Sequence, residues 1–114
     1  MITIYHNPRC SKSRQTLQLL TDRGIEPTIV LYLDTPPDKA TLTTLLRKLG
    51  ITARQLLRKG EDAYKAHNLN DATLSDKQLI DCMVKHPKLI ERPIVVNGNK
   101  AALGRPPEAV LDIL

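Results

Sequence analysis

The sequence holds no Phe, no Trp and only three Tyr. Proteins that bind single-stranded nucleic acid stack bases on aromatic faces, and this chain has no such platform; no nucleic acid partner is expected. It has two cysteines, Cys10 and Cys82, too few for a disulfide scaffold, so both are expected as reduced thiols. His6, His67 and His86 are scattered and make no zinc-type spacing with the cysteines, so no metal is expected. No apolar run approaches the ~20 residues of a membrane span, which excludes a membrane helix. Met1 leads straight into a β-like run. With no basic region followed by an apolar stretch, no secretory signal is expected, and a cytoplasmic protein is expected. No nucleotide or flavin motif is present, so no tightly bound cofactor is expected.

What the sequence does have is a modest excess of positive charge. The 114 residues carry a formal charge of +5. That length fits one domain, and the charge favours an anionic partner, an acidic protein or a small oxyanion. The Lys and Arg residues are spread along the chain without a basic block.

Residues 2–5 (ITIY) are β-branched and aromatic and predict a strand. Residues 6–9 (HNPR) predict a turn, with Pro8 fixing the backbone. A helix follows from about residue 11 to Arg23, with Cys10, Ser13, Arg14, Leu17 and Leu20 near one face and Gly24 as its stop. Residues 28–33 (TIVLYL) predict a second strand, parallel to the first. The middle is helical. Leu42, Leu45, Leu46 and Leu49 recur at helical spacing before Gly50. Thr52 caps a short helix carrying Leu56 and Leu57, and Ser75 caps another carrying Leu79, Ile80, Met83 and Val84, ended by Pro87. Residues 60–71 are irregular or a short helix. Two apolar runs within 93–103 flank Asn97-Gly98, a hairpin signature. Pro106-Pro107 opens a last helix, EAVLDIL. The order β-α-β, helices, β-β-α predicts an α/β fold with a mixed four-stranded sheet. The helical stretch at about 37–90 is then an insertion into a single domain spanning 1–114.

Cys10 is the chemically prepared residue. A cysteine at a helix N-terminus meets free backbone N–H groups and partial positive charge, which favour thiolate over thiol. Arg9, Lys12, Arg14 and His6 add to this if they face the sulfur, and Ser13 offers a hydrogen bond. A strand-to-helix turn also leaves the sulfur accessible, and the same N–H groups bind oxyanions. These features describe a nucleophile that attacks an anion. Cys82 lies at the edge of an apolar stripe and reads as packing. Ser13 stands where a redox pair would place a second cysteine, so the second thiol comes from another molecule or from Cys82. Arg58, Arg92 and Arg105 are candidates to complete an anion site, because a guanidinium presents a planar fork to tetrahedral oxyanions.

HNPRCSKSR, LLRK, ERPIVV, GRPPE and VLDIL, in this order and spacing, resemble the ArsC arsenate reductases. The likeness covers essentially the whole chain, and the shorter form resembles the YfgD-like branch. It implies a thioredoxin-like fold and a glutaredoxin-dependent arsenate reductase. Cys10 stands at the family's nucleophile, and His6 and Ser13 at positions that tune it. Arg58, Arg92 and Arg105 stand at the arginines that hold arsenate and its thiolated products. Pro93 matches the cis-proline that faces the active cysteine. Glutathione is the implied thiol co-substrate and glutaredoxin the implied partner of a monomeric enzyme. Two departures stand out. Some arsenic-resistance members carry cysteine where this chain has Gly104, and they continue beyond the equivalent of Leu114. Two alternatives stay open: a non-catalytic, Spx-like protein-interaction module, and a glutathione-linked thiol oxidoreductase.

Overall fold

The computed structural model describes residues 1–114. Backbone contacts divide the chain into two compact units, Met1–Thr35 with Arg92–Leu114, and Pro36–Glu91.

The first unit is built on a four-stranded sheet. Strand β1 (Ile2–His6) leads through a turn into helix α1 (Ser11–Asp22), and the chain returns as β2 (Thr28–Leu31). After the helical unit come β3 (Ile94–Asn97) and β4 (Lys100–Leu103). The sheet order is β2-β1-β3-β4. β1 pairs with β2 in parallel and with β3 antiparallel, and β3 pairs antiparallel with β4. This is the mixed sheet expected of the β-α-β then β-β-α order. Alternation along β1 puts Ile2, Ile4 and His6 on one face. Ile4 joins Leu20, Val95 and Val110 in a fully buried cluster, with Leu17, Ile25 and Ile113 packed around it. The same face of the strand that builds this core therefore delivers His6 to the start of α1.

Three local expectations change. β2 stops at Leu31 rather than at residue 33, because the Leu31 carbonyl accepts from the N–H groups of Asp34 and Thr35 and turns the chain. The hairpin turn is centred on Gly98-Asn99, one residue later than the Asn-Gly signature, since Asn97 pairs with Lys100. Gly98 takes φ +61°, while Asn99 stays at negative φ; a first central glycine of this kind is the type II′ solution. The last element, Pro107–Ile113, is a 3₁₀ helix, not an α-helix. Pro107, Val110 and Ile113 recur every three residues, which at three residues per turn aligns them on one face. Pro107 and Val110 are buried, and the Asn97 side chain donates to the Ile113 carbonyl at 2.6 Å.

The second unit is helical. Helix α2 (Lys39–Leu49) is capped by Asp38, whose carboxylate accepts from Thr41 N–H at 2.8 Å. It stops at Gly50, which takes a left-handed φ of +69°. Thr52 and Gln55 close a capping box on α3 (Ala53–Leu56), and α4 (Asp62–Ala66) supplies the single short helix within 60–71. Ser75 and Gln78 close a second capping box on α5 (Asp76–Lys85), and a 3₁₀ turn, Pro87–Leu89, follows. α2 and α3 pack on α5, burying Leu42, Leu45 and Leu46 on α2 and Leu79, Ile80 and Met83 on α5. An isolated bridge between Leu57 and Ile90 ties the end of α3 to the end of the unit. No helix is long and apolar enough to cross a membrane.

Ser75→Ala removes the oxygen that receives the Gln78 N–H. The loss is expected to cost about 1 kcal/mol, read as a lower urea midpoint. An unchanged midpoint would show that this cap contributes nothing.

Candidate active site

The turn before α1 is fixed by its own polar groups. The Asn7 side-chain oxygen accepts from Arg9 N–H at 3.0 Å, and the Asn7 carbonyl accepts from Cys10 N–H at 3.0 Å. Arg14 reaches back to donate to the Pro8 carbonyl at 2.9 Å. Arg14 is thus an exposed clamp on the turn and not part of the inward face of α1. That face is made by Ser13, Thr16 and Leu20.

His6 and Ser13 are both buried and share a hydrogen bond of 2.6 Å between Nδ1 and Oγ. Ser13 Oγ also accepts from Asn7 N–H at 3.0 Å. The hydroxyl is therefore committed to His6 and the turn. It is the backbone N–H of Ser13, not the side chain, that favours the sulfur anion. Burial, and secondarily the Arg14 charge, lower the His6 pKa, so the ring is neutral at pH 7. His6 acts on the site through Ser13 and brings no charge.

Cys10 is the N-cap residue of α1, with extended backbone at φ −95°, ψ 124°. Its sulfur makes no capping hydrogen bond as it stands. The residue is only 9% exposed, less open than a strand-to-helix turn implies. Burial by itself raises a thiol pKa. Here it is outweighed by the Ser13 N–H, the Arg92 guanidinium and the Lys12 N–H, and the net shift of Cys10 is downward. Arg92 contributes both by charge and by a side-chain hydrogen bond. Cys10 and Cys82 are both free thiols.

The sheet brings further candidates to the same unit. The Arg92–Pro93 and Arg105–Pro106 peptide bonds are both cis. The Arg105 guanidinium lies 3.4 Å from the Arg92 carbonyl, so the two arginines are neighbours. Gly104 N–H donates to the Pro93 carbonyl at 2.9 Å. A Cβ at Gly104 would overlap Thr16 Oγ1 and stand 2.7 Å from Pro93 Cγ. The position that holds cysteine in some arsenic-resistance members thus has no room here for a side chain unless those neighbours move.

Arg58 belongs to the helical unit. Its backbone N–H donates to the Leu89 carbonyl at 2.8 Å, and its guanidinium pairs with Glu61 at 2.6 Å and Glu91 at 3.9 Å. A cavity of about 310 Å³ in the same unit is lined by Lys59, Tyr64, Lys65, Asn68 and Asn70 and includes none of the candidate residues. No three His, Cys, Asp or Glu side chains converge as metal ligands would. The residues that sequence reasoning missed are Asn7, Thr16, Glu61 and Glu91. Asn7 had a readable signal, since Asn ahead of Pro is a turn-forming pair. Glu91 had none, since its approach to Arg58 depends on the Leu57–Ile90 bridge.

The rate of Cys10 alkylation is expected to rise with pH through a midpoint below that of an ordinary thiol. Above that midpoint the thiolate dominates and the rate levels off. Arg92→Ala removes one of the groups that favour the anion, so its midpoint moves up. A wild-type midpoint at the value of a free thiol, about 8.5, would contradict the electrostatic assignment.

Comparison with known proteins places this geometry in context. The ArsC family model matches residues 5–113. Protein YfgD of Escherichia coli is 60% identical over 99% of this chain and 96% of its own length. An arsenate reductase of Escherichia coli is 51% identical over 99% of this chain and 80% of its own. The solved structure of an arsenate reductase from Vibrio cholerae superposes with a TM-score of 0.97 at 52% identity, covering 99% of this chain and 97% of that one. The fold is thioredoxin-like, as in these neighbours. Matched from the first strand to the final 3₁₀ helix, with half or more of its residues identical to these relatives, the chain belongs to the ArsC family.

Proposed function

We propose that this protein is a thiol-dependent oxyanion reductase that converts arsenate to arsenite. One observation carries the reading: Cys10 at the N-terminus of α1, with the Ser13 and Lys12 amides and Arg92 favouring its thiolate. Relatives at about half identity named arsenate reductase support it.

In the first step the Cys10 thiolate attacks arsenic. An S–As bond forms, an As–O bond breaks, and the oxygen leaves as water after taking up a proton. Glutathione then replaces a second oxygen, giving arsenic bridged between Cys10 and glutathione. Glutaredoxin supplies the second thiol by attacking the glutathione sulfur. The As–S(glutathione) bond breaks, its electron pair stays on arsenic, and As(V) becomes As(III). Hydrolysis releases arsenite and returns Cys10. The balance is one arsenate, one glutathione and one glutaredoxin thiol consumed, with arsenite and a glutaredoxin–glutathione disulfide formed. Two thiols lose the two electrons that arsenic gains. Arg58, Arg92 and Arg105 hold the oxyanion and its thiolated forms in this scheme. His6 and Ser13 keep the turn and its amides in place, and Pro93 borders the cysteine. The protein acts as a monomer in the cytoplasm, where both thiol donors are found, and the helical unit is an insertion in one catalytic domain. No resident metal or tightly bound cofactor takes part.

The test is arsenate reduction with glutathione and glutaredoxin, coupled to NADPH oxidation. Turnover is expected in the wild type, abolished in Cys10→Ser and reduced about tenfold or more in Arg92→Ala, the loss of one charge-assisted contact. A folded wild type without arsenate turnover would contradict the reading. Reduction of glutathione mixed disulfides in its place would favour a thiol oxidoreductase.

A further inference from the structure

Arg58 is already occupied by anions from its own unit. Its NH1 donates to Glu61 Oε1 at 2.6 Å, and its Nε stands 3.9 Å from Glu91 Oε1. Two carboxylates therefore face one guanidinium. Glu61 precedes α4 at the N-cap position, yet its carboxylate makes no capping hydrogen bond there. Its side chain serves Arg58 instead. The pair is only partly covered, with 26% and 25% of the two side chains exposed. Glu61 can thus rotate into water, while the Arg58 main chain is held by its N–H bond to the Leu89 carbonyl.

We propose that Glu61 is a specificity-determining residue: an internal competitor that an incoming oxyanion must displace from Arg58. This rests on the reading of Arg58 as an oxyanion ligand. A tetrahedral oxyanion needs the same N–H donors that Glu61 holds. It also meets two negative charges beside one positive charge until Glu61 leaves. A dianion, with twice the charge to set against the guanidinium, repays the lost ion pair, whereas a small monovalent anion does not. Glu61 thereby raises the oxyanion concentration needed to fill the site and discriminates against weak anions.

The test measures protection of Cys10 from iodoacetamide, a neutral reagent, by arsenate and by inorganic phosphate, with Cys10 modification read by peptide mass spectrometry. The proteins are wild type, Glu61→Gln, Arg58→Gln and the double variant. Glu61→Gln keeps the side-chain shape and removes the charge, so its half-protecting concentration is expected to fall about three- to tenfold. Arg58→Gln is expected to raise it, and the double variant to match Arg58→Gln, because Glu61 acts through Arg58. Protection of Glu61→Gln but not of wild type also supports the competitor. An unchanged or higher half-protecting concentration in Glu61→Gln overturns it, and a higher one identifies Glu61 as a positioning residue for Arg58. Equal protection of wild type and Arg58→Gln overturns it while leaving the oxyanion site standing. No protection in either wild type or Glu61→Gln overturns the oxyanion reading and the competitor together.

Discussion

A buried sulfur anion is costly unless donors are already aimed at it, and the first unit is organised around that offset. Burial opposes the Cys10 thiolate; two backbone amides and one guanidinium outweigh it. The amides are free because they open a helix, where the first N–H groups have no intrahelical partner. Arg92 is available because β3 begins beside the turn that carries Cys10. The two amides come from one turn of α1 and the guanidinium from the residue pair that leads into β3, so the sulfur depends on the sheet being assembled.

The turn that holds Cys10 shows how little freedom such a site tolerates. Asn7 bonds Arg9 and Cys10, Arg14 bonds Pro8, and Ser13 bonds both Asn7 and His6. These bonds close a small network around residues 6–14. An orphaned polar group within it would cost about 1–3 kcal/mol, which gives the network an energetic reason to stay intact. Neutral His6 suits this role: it orients Ser13 without placing a second cation against Arg14. In the helical unit, Arg58 is held between two carboxylates.

Much of the scaffold was legible because its signals are local. ITIY followed by HNPR gives a strand and a turn within nine residues, and that places Cys10 at a helix start. Thr52 and Ser75 are readable as helix caps, and each caps its helix, completing a capping box with Gln55 and Gln78. The apolar spacing of Leu42, Leu45 and Leu46 sets the buried side of α2. The 3₁₀ form of Pro107–Ile113 was harder to read, since a three-residue apolar period over so short a segment also fits a helical turn. Within the site, the position of Cys10 was readable, but the direction of the Ser13 hydroxyl was not. It turns toward His6 because β1 presents His6 on its inward face, a fact of strand register. The pairing of Arg58 with Glu91 was equally hidden, because a single bridge between Leu57 and Ile90 creates it.

In the proposed reaction the Cys10 sulfur bonds directly to arsenic. Intact-protein and peptide mass spectrometry after incubation with arsenate and glutathione, with glutaredoxin withheld, tests it most directly. The proposed reaction would stall there with arsenic bridging Cys10 and glutathione. A mass increment containing one arsenic and one glutathione is expected on the Cys10 peptide and absent from Cys10→Ser. Glutathione alone on Cys10, with no arsenic at any time point, would contradict it.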